Sequence, residues 1–84
     1  MNNLNSVLIE GKLTNVPAWN PELQECKMKI SSVREDETLL VDIMYSGKKA
    51  LSGQKGQGVR VVGRLSQAGK KLVIIAEYIE FWPK

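Results

Sequence analysis

The chain has 84 residues, 43% of them apolar and 25% charged with both signs interspersed, a balance that fits one small folded domain and excludes both a disordered chain and a large enclosed cleft. Lys and Arg number 12 against 9 Asp and Glu, giving a net charge of +3, which is compatible with a polyanionic partner without demanding one. With no histidine and one cysteine, a Cys/His zinc site, a histidine general base and an internal disulfide are all excluded.

The first residues, MNNLNSVLIEGK, have no basic segment leading into a long apolar one, and no window approaches the ~18 apolar residues of a membrane span. The expectation is an unexported, cytoplasmic protein in which Cys26 is a reduced core thiol. No repeat, low-complexity segment or linker divides the chain, so residues 1–84 are read as one domain.

In chain order, residues 5–14, NSVLIEGKLT, place Val7, Ile9, Gly11 and Leu13 on one face and Ser6, Leu8, Glu10 and Lys12 on the other, the period-2 pattern of a first strand that Gly11 can bend. Residues 15–23, NVPAWNPEL, hold two prolines and two asparagines and are expected to be a loop with Trp19 in its middle. Residues 24–33 form a second amphipathic strand, Cys26, Met28 and Ile30 inward and Lys27, Lys29 and Ser31 outward. REDE at 34–37 is a charged turn, and TLLVDIMY at 38–45 is a third strand, mostly buried apart from Asp42, that forms a hairpin with the second.

Residues 46–54, SGKKALSGQ, break the strand pattern, and Ser46 suits the N-cap of a one- or two-turn helix stopped at Gly53. The last hairpin, 58–82, opens with Val59, Val61 and Leu65 alternating with Arg60 and Arg64. Gly63 inside that strand marks a bulge, a bend or a close backbone approach. Ser66, Gln67, Gly69 and Lys70 supply the turn, and the apolar run from Leu72 to Ala76 reads as a strand buried on both sides. Five strands with a short helix between the third and fourth is the element order of the OB-fold, an all-β, partly open barrel. An SH3-like barrel also has five strands, and the intervening helix favours the OB-fold.

Several of these segments resemble the bacterial single-stranded DNA-binding protein family. NSVLIEGKLT resembles its first strand with a glycine-x-leucine-threonine ending, GVRVVGRL at 58–65 resembles its fourth strand almost residue for residue, and LVIIAEYIEFWPK at 72–84 resembles its closing strand. Tyr45 and Ser46 followed by Lys48 and Lys49 resemble the aromatic-glycine-lysine segment that leads from the third strand into the helix. The departures are an altered loop after strand one, a helix about one turn short, arms between strands two and three and between four and five cut to REDE and SQAGKK, and no acidic C-terminal tail. The resemblance implies sequence-nonspecific binding of single-stranded DNA in replication, recombination or repair, by a homo-oligomer (dimer or tetramer) at the bacterial nucleoid, with affinity below that of a fully armed relative.

Nonspecific strand binding needs cations for phosphates and flat faces for bases, each stacked base contributing roughly 1–3 kcal/mol. Lys27 and Lys29, Lys48 and Lys49, Arg60 and Arg64, and Lys70 and Lys71 are the phosphate candidates, a solvated basic face being the alternative for each. Trp19 is the leading stacking candidate, packing over a barrel end being its alternative. Tyr45 either touches a base or packs in the core. Tyr78, Phe81 and Trp82 are expected in the core or at a subunit interface, and the acidic turn of Glu35, Asp36 and Glu37 should turn a strand away.

Three neighbouring carboxylates in one turn are a poor basis for a metal site or an acid-base pair, and the glycines from Gly53 to Gly58 lack the lysine-serine ending of a phosphate loop. No enzyme activity, cofactor, metal or small-molecule substrate is therefore expected. The second reading is an OB barrel that has become a protein-interaction or oligomerisation module, and a third is a shortened relative of the primosomal OB proteins that bind single strands as dimers. RNA stays open as a ligand, since stacking and phosphate contacts do not discriminate the sugar.

Overall fold

The computed structural model describes residues 5–47 and 51–83, which form six strands: β1 (Val7–Leu13), β2 (Ala18–Asn20), β3 (Glu25–Arg34), β4 (Glu37–Ser46), β5 (Gly58–Ala68) and β6 (Lys71–Phe81). Five of them close into a barrel in the order β1-β5-β6-β4-β3, with β3 returning to β1 and β2 added outside β3. All pairings are antiparallel except β4 with β6, which run parallel at Ile43 to Ile74 and Met44 to Ile75. This all-β barrel is the architecture that the element order in the sequence implied.

Period-2 alternation decides which face each side chain takes. Leu13, Met28, Ile30, Ile43, Val59, Val61, Ile74 and Ala76 form the core, with Val7, Ile9, Val41, Tyr45, Leu51, Ile79 and Phe81 packed around it. Cys26 is fully buried as a free thiol. Directly opposed residues share a face of a sheet, so the register Trp19 to Cys26 to Tyr45 puts all three on the inner side of β2, β3 and β4.

Closure depends on two close backbone approaches. β1 pairs with β5 from Val7 to Lys12 and with β3 only at Lys12 and Leu13, so it changes partner at Lys12, next to Gly11, where any Cβ would run into the Ser31 carbonyl oxygen. Ser32 Oγ donates to the Glu10 carbonyl at 2.7 Å, and the Thr14 amide donates to the Lys29 carbonyl at 3.0 Å, pinning the two strands across that corner. On the other side, the β5–β6 ladder slips between Val62 and Gly63, and a Cβ at Gly63 would meet the Ile75 carbonyl oxygen. Of the alternatives expected at Gly63, the bulge and the close approach are both there, with Glu77 as the extra residue on β6.

Four expectations need correction. The loop 15–23 contains β2, because Trp19 pairs against Cys26 in spite of the flanking prolines. The third strand is not mostly buried: Leu40 is exposed because it points outward opposite Ser31, and Leu39 because β1 reaches only as far as Ser31 on β3 and the hairpin tip beyond has no third strand to cover it. Leu72 is 66% exposed because the β5–β6 ladder extends to Ala68 and Lys71, past the barrel wall, so the apolar run is buried or half-buried on both sides only from Val73 to Ala76. Ser46 is the last residue of β4, and 51–54, where the expected helix would end, are irregular. The centre of the expected helix, Lys48 to Ala50, lies outside the described residues, and no helix occurs among those described.

Because Trp19 faces the barrel interior and is half-buried, Trp19→Ala is expected to lower the free energy of unfolding by about 2 kcal/mol, less than a fully buried tryptophan would lose. Urea denaturation followed by far-UV circular dichroism measures this. An unchanged midpoint would place the ring outside the fold.

Candidate nucleic-acid interface

The outward residues of β3 are Glu25, Lys27, Lys29, Ser31 and Val33, and those of β4 opposite them are Ser46, Met44, Asp42, Leu40 and Thr38. One row runs across the sheet from Ala18 through Lys27, Met44 and Ile75 to Arg64. Above it the end of the β5–β6 hairpin carries Ala68, Lys71 and Val73 outward, and Val73 is buried against this face. Between the hairpin and the sheet lies a cavity of about 260 Å³ lined by Lys27, Met28, Asp42, Ile43, Met44, Ala68, Lys71 and Val73.

A second, shallower cavity of about 380 Å³ takes over on the β2 side, lined by Asn15, Val16, Ala18, Lys27, Met28, Lys29 and Asp42. The two share Lys27, Met28 and Asp42, so they form one groove across the outer face of β3 and β4. Its cations are Lys27, Lys29 and Lys71, and its apolar floor and walls come from Val16, Ala18, Met44 and Val73. Lys29 lies 3.7 Å from Asp42, with both side chains more than two-fifths exposed, an ion pair that screening leaves weak. These cations therefore keep most of their charge for a ligand.

The other proposed residues are placed differently. Arg64 shares the outward row with Lys27, and Lys70 stands exposed in the turn at the tip of the β5–β6 hairpin. Arg60 is on another face: it pairs with Glu10 at 2.8 Å and also donates from Nε at 2.9 Å, and its guanidinium lies 5.9 Å over the Trp82 ring. The Glu10 hydrogen bond, then the Glu10 charge, push its pKa above the ordinary value, with Glu80 adding to the same effect. Tyr78, donating to Glu80 at 2.9 Å, is likewise held above the usual phenol value. Around Arg60 the outer face of β1, β5 and β6 is a self-satisfied polar cluster, so Arg60 has little to offer a phosphate.

Trp19 and Tyr45 both face inward, and Tyr45 packs against the core, so neither ring lines the groove. Lys48 and Lys49 lie outside the described residues. Phe81 packs on the core opposite Val59, while Tyr78 is exposed and Trp82 covers Gly58. Sequence reasoning did not single out Met44, Asp42, Val16 or Val73 as site residues. The strict alternation of Val41, Ile43 and Tyr45 with Asp42 and Met44 was the available signal. Among the described residues, no three Cys, Asp or Glu side chains come together as a metal site.

No protein-family model matches the sequence, and no curated protein is significantly similar to it in sequence. Solved structures are similar in fold. The dimeric N-terminal domain of PriB from Thermoanaerobacter tencongensis superposes with a TM-score of 0.77 at 20% identity, over 95% of this chain and 98% of that one. The Plasmodium falciparum SSB, in complex with ssDNA, gives 0.77 at 18% identity over 99% and 98%. A deletion mutant of the Thermus aquaticus single-stranded DNA-binding protein gives 0.77 at 21% identity, this chain spanning 42% of its length. In fold the chain is an OB barrel whose structural neighbours include bacterial single-stranded DNA-binding proteins, aligned over nearly all of its length.

Proposed function

We propose that the chain binds single-stranded DNA without strong sequence preference, in the groove across the outer face of β3 and β4. The observation that carries the reading is the pairing of three cations, Lys27, Lys29 and Lys71, with an apolar lining in one continuous groove, since a single strand offers phosphates on one side and base faces on the other. The fold similarity to proteins named for single-strand binding supports it. Without an aromatic ring in the groove, bases contact Met44, Val73 and Val16, so binding draws more on charge than on stacking. Work in DNA replication, recombination or repair on the bacterial nucleoid follows as the setting of this reading, and single-stranded RNA is a second ligand to compare.

Anisotropy of a labelled oligo-dT tests it. Three to four phosphate contacts give a slope of log K against log salt of about −2 to −3, each removed lysine taking off about 0.7. Lys27→Ala and Lys71→Ala should each weaken binding and flatten the slope, whereas Arg60→Ala should leave both nearly unchanged. No binding at low salt, or a loss confined to Arg60→Ala, would overturn the reading.

A homo-oligomer is the second part of the proposal. Among the described residues β1 is paired from Val7 to Ile9 with β5 alone, leaving that stretch of strand edge open to another chain, and beside it Leu8 and Tyr78 are exposed in the same outward row as Val62. Light scattering is expected to give at least twice the chain mass and Leu8→Lys to reduce it. A wild-type monomer would contradict this part alone.

A further inference from the structure

The groove that attracts a polyanion holds one anion of its own. Asp42 lines both halves of the cavity, at the point where they meet, and stands outward beside Met44 on β4. A carboxylate there works against phosphate binding, so a pure phosphate track gains nothing from it. Its partner Lys29, at 3.7 Å, is beyond hydrogen-bond distance, which leaves the carboxylate oxygens open to donors from a ligand.

The surroundings limit what that ligand group is. The cavity on the hairpin side, about 260 Å³, holds roughly nine times the volume of one liquid water, enough for a planar heterocycle. Met44 and Val73 offer it apolar contact, and a thioether packs well against aromatic rings. An ionised carboxylate only accepts hydrogen bonds. Cytosine presents an exocyclic amino donor, whereas thymine and uracil present a carbonyl acceptor at the same position.

Resting on the single-strand reading above, we infer that Asp42 reads the base edge in this groove, favouring bases with an exocyclic amino group and disfavouring thymine and uracil. The strand is held by lysines and graded by Asp42. The opposing possibility is that Asp42 only orients Lys29, in which case its removal changes affinity for every base alike.

The experiment compares oligo-dC with oligo-dU and oligo-dT of equal length at mildly alkaline pH, where cytosine N3 is unprotonated, for the wild type, Asp42→Ala and the near-isosteric Asp42→Asn. The wild type should bind oligo-dC about 5-fold tighter than oligo-dU, the low end of what a side-chain to base-edge pair supplies. In Asp42→Ala the ratio should fall to near one, chiefly because oligo-dU binds better once the repulsion is gone, and Asp42→Asn, which donates as well as accepts, should also lose it. A wild-type ratio of one, or a ratio preserved in both variants, overturns the role of Asp42 and leaves strand binding standing. Failure of all three oligomers to bind overturns both.

Discussion

The structure rests on β1 having to pair with two strands at once. A sheet of β1, β5, β6, β4 and β3 closes only if β1 turns from β5 to β3 part-way along its length, and the turn brings backbone against backbone at Gly11 and Ser31. A residue with a side chain there would hold the barrel open. Once closed, the ring buries Ile30, Ile43, Val59 and Val61 almost completely. It also aims the outer face of β3 and β4 one way and that of β1, β5 and β6 another. A chain this short has little core to spare, so the same few inward residues serve every strand.

That division explains why cations of one type meet different ends. Arg60 and Lys27 are both outward residues of strands in the same barrel. Arg60 stands in a ladder row between Glu10 and Glu80 and beside Trp82, so its charge and planar face are taken up by neighbours. Lys27 stands opposite Met44, which offers no charge. Lys29 has Asp42, but at a separation and exposure that give little. Cross-strand partners, which neither composition nor periodicity reveals, decide which basic residues remain open to a ligand.

Much of the fold was legible because period-2 alternation is a local signal. Cys26, Met28 and Ile30 face in while Lys27 and Lys29 face out, as their spacing indicates, and Gly63 marks the slip in the β5–β6 ladder. What failed depended on where strands end relative to one another. Leu39 and Leu72 look like core residues in sequence, yet they lie on hairpin ends that outrun the barrel, and Leu40 points outward. Trp19 sits between prolines, as a loop residue would, yet three residues of ladder turn it inward. The groove depends on the β5–β6 hairpin folding toward β4 so that Val73 and Lys71 face Met44 and Lys27, a juxtaposition of segments far apart in the chain that no motif announces.

The central claim is that the ligand face is the outer surface of β3 and β4 and not that of β1, β5 and β6. Amide chemical-shift mapping by NMR during titration with a short oligo-dT tests this most directly. The account predicts perturbations concentrated at residues 27–31, 40–44 and 64–73, with 7–12 and 78–82 largely still. Shifts centred on 7–12 and 78–82, with the groove silent, would contradict it.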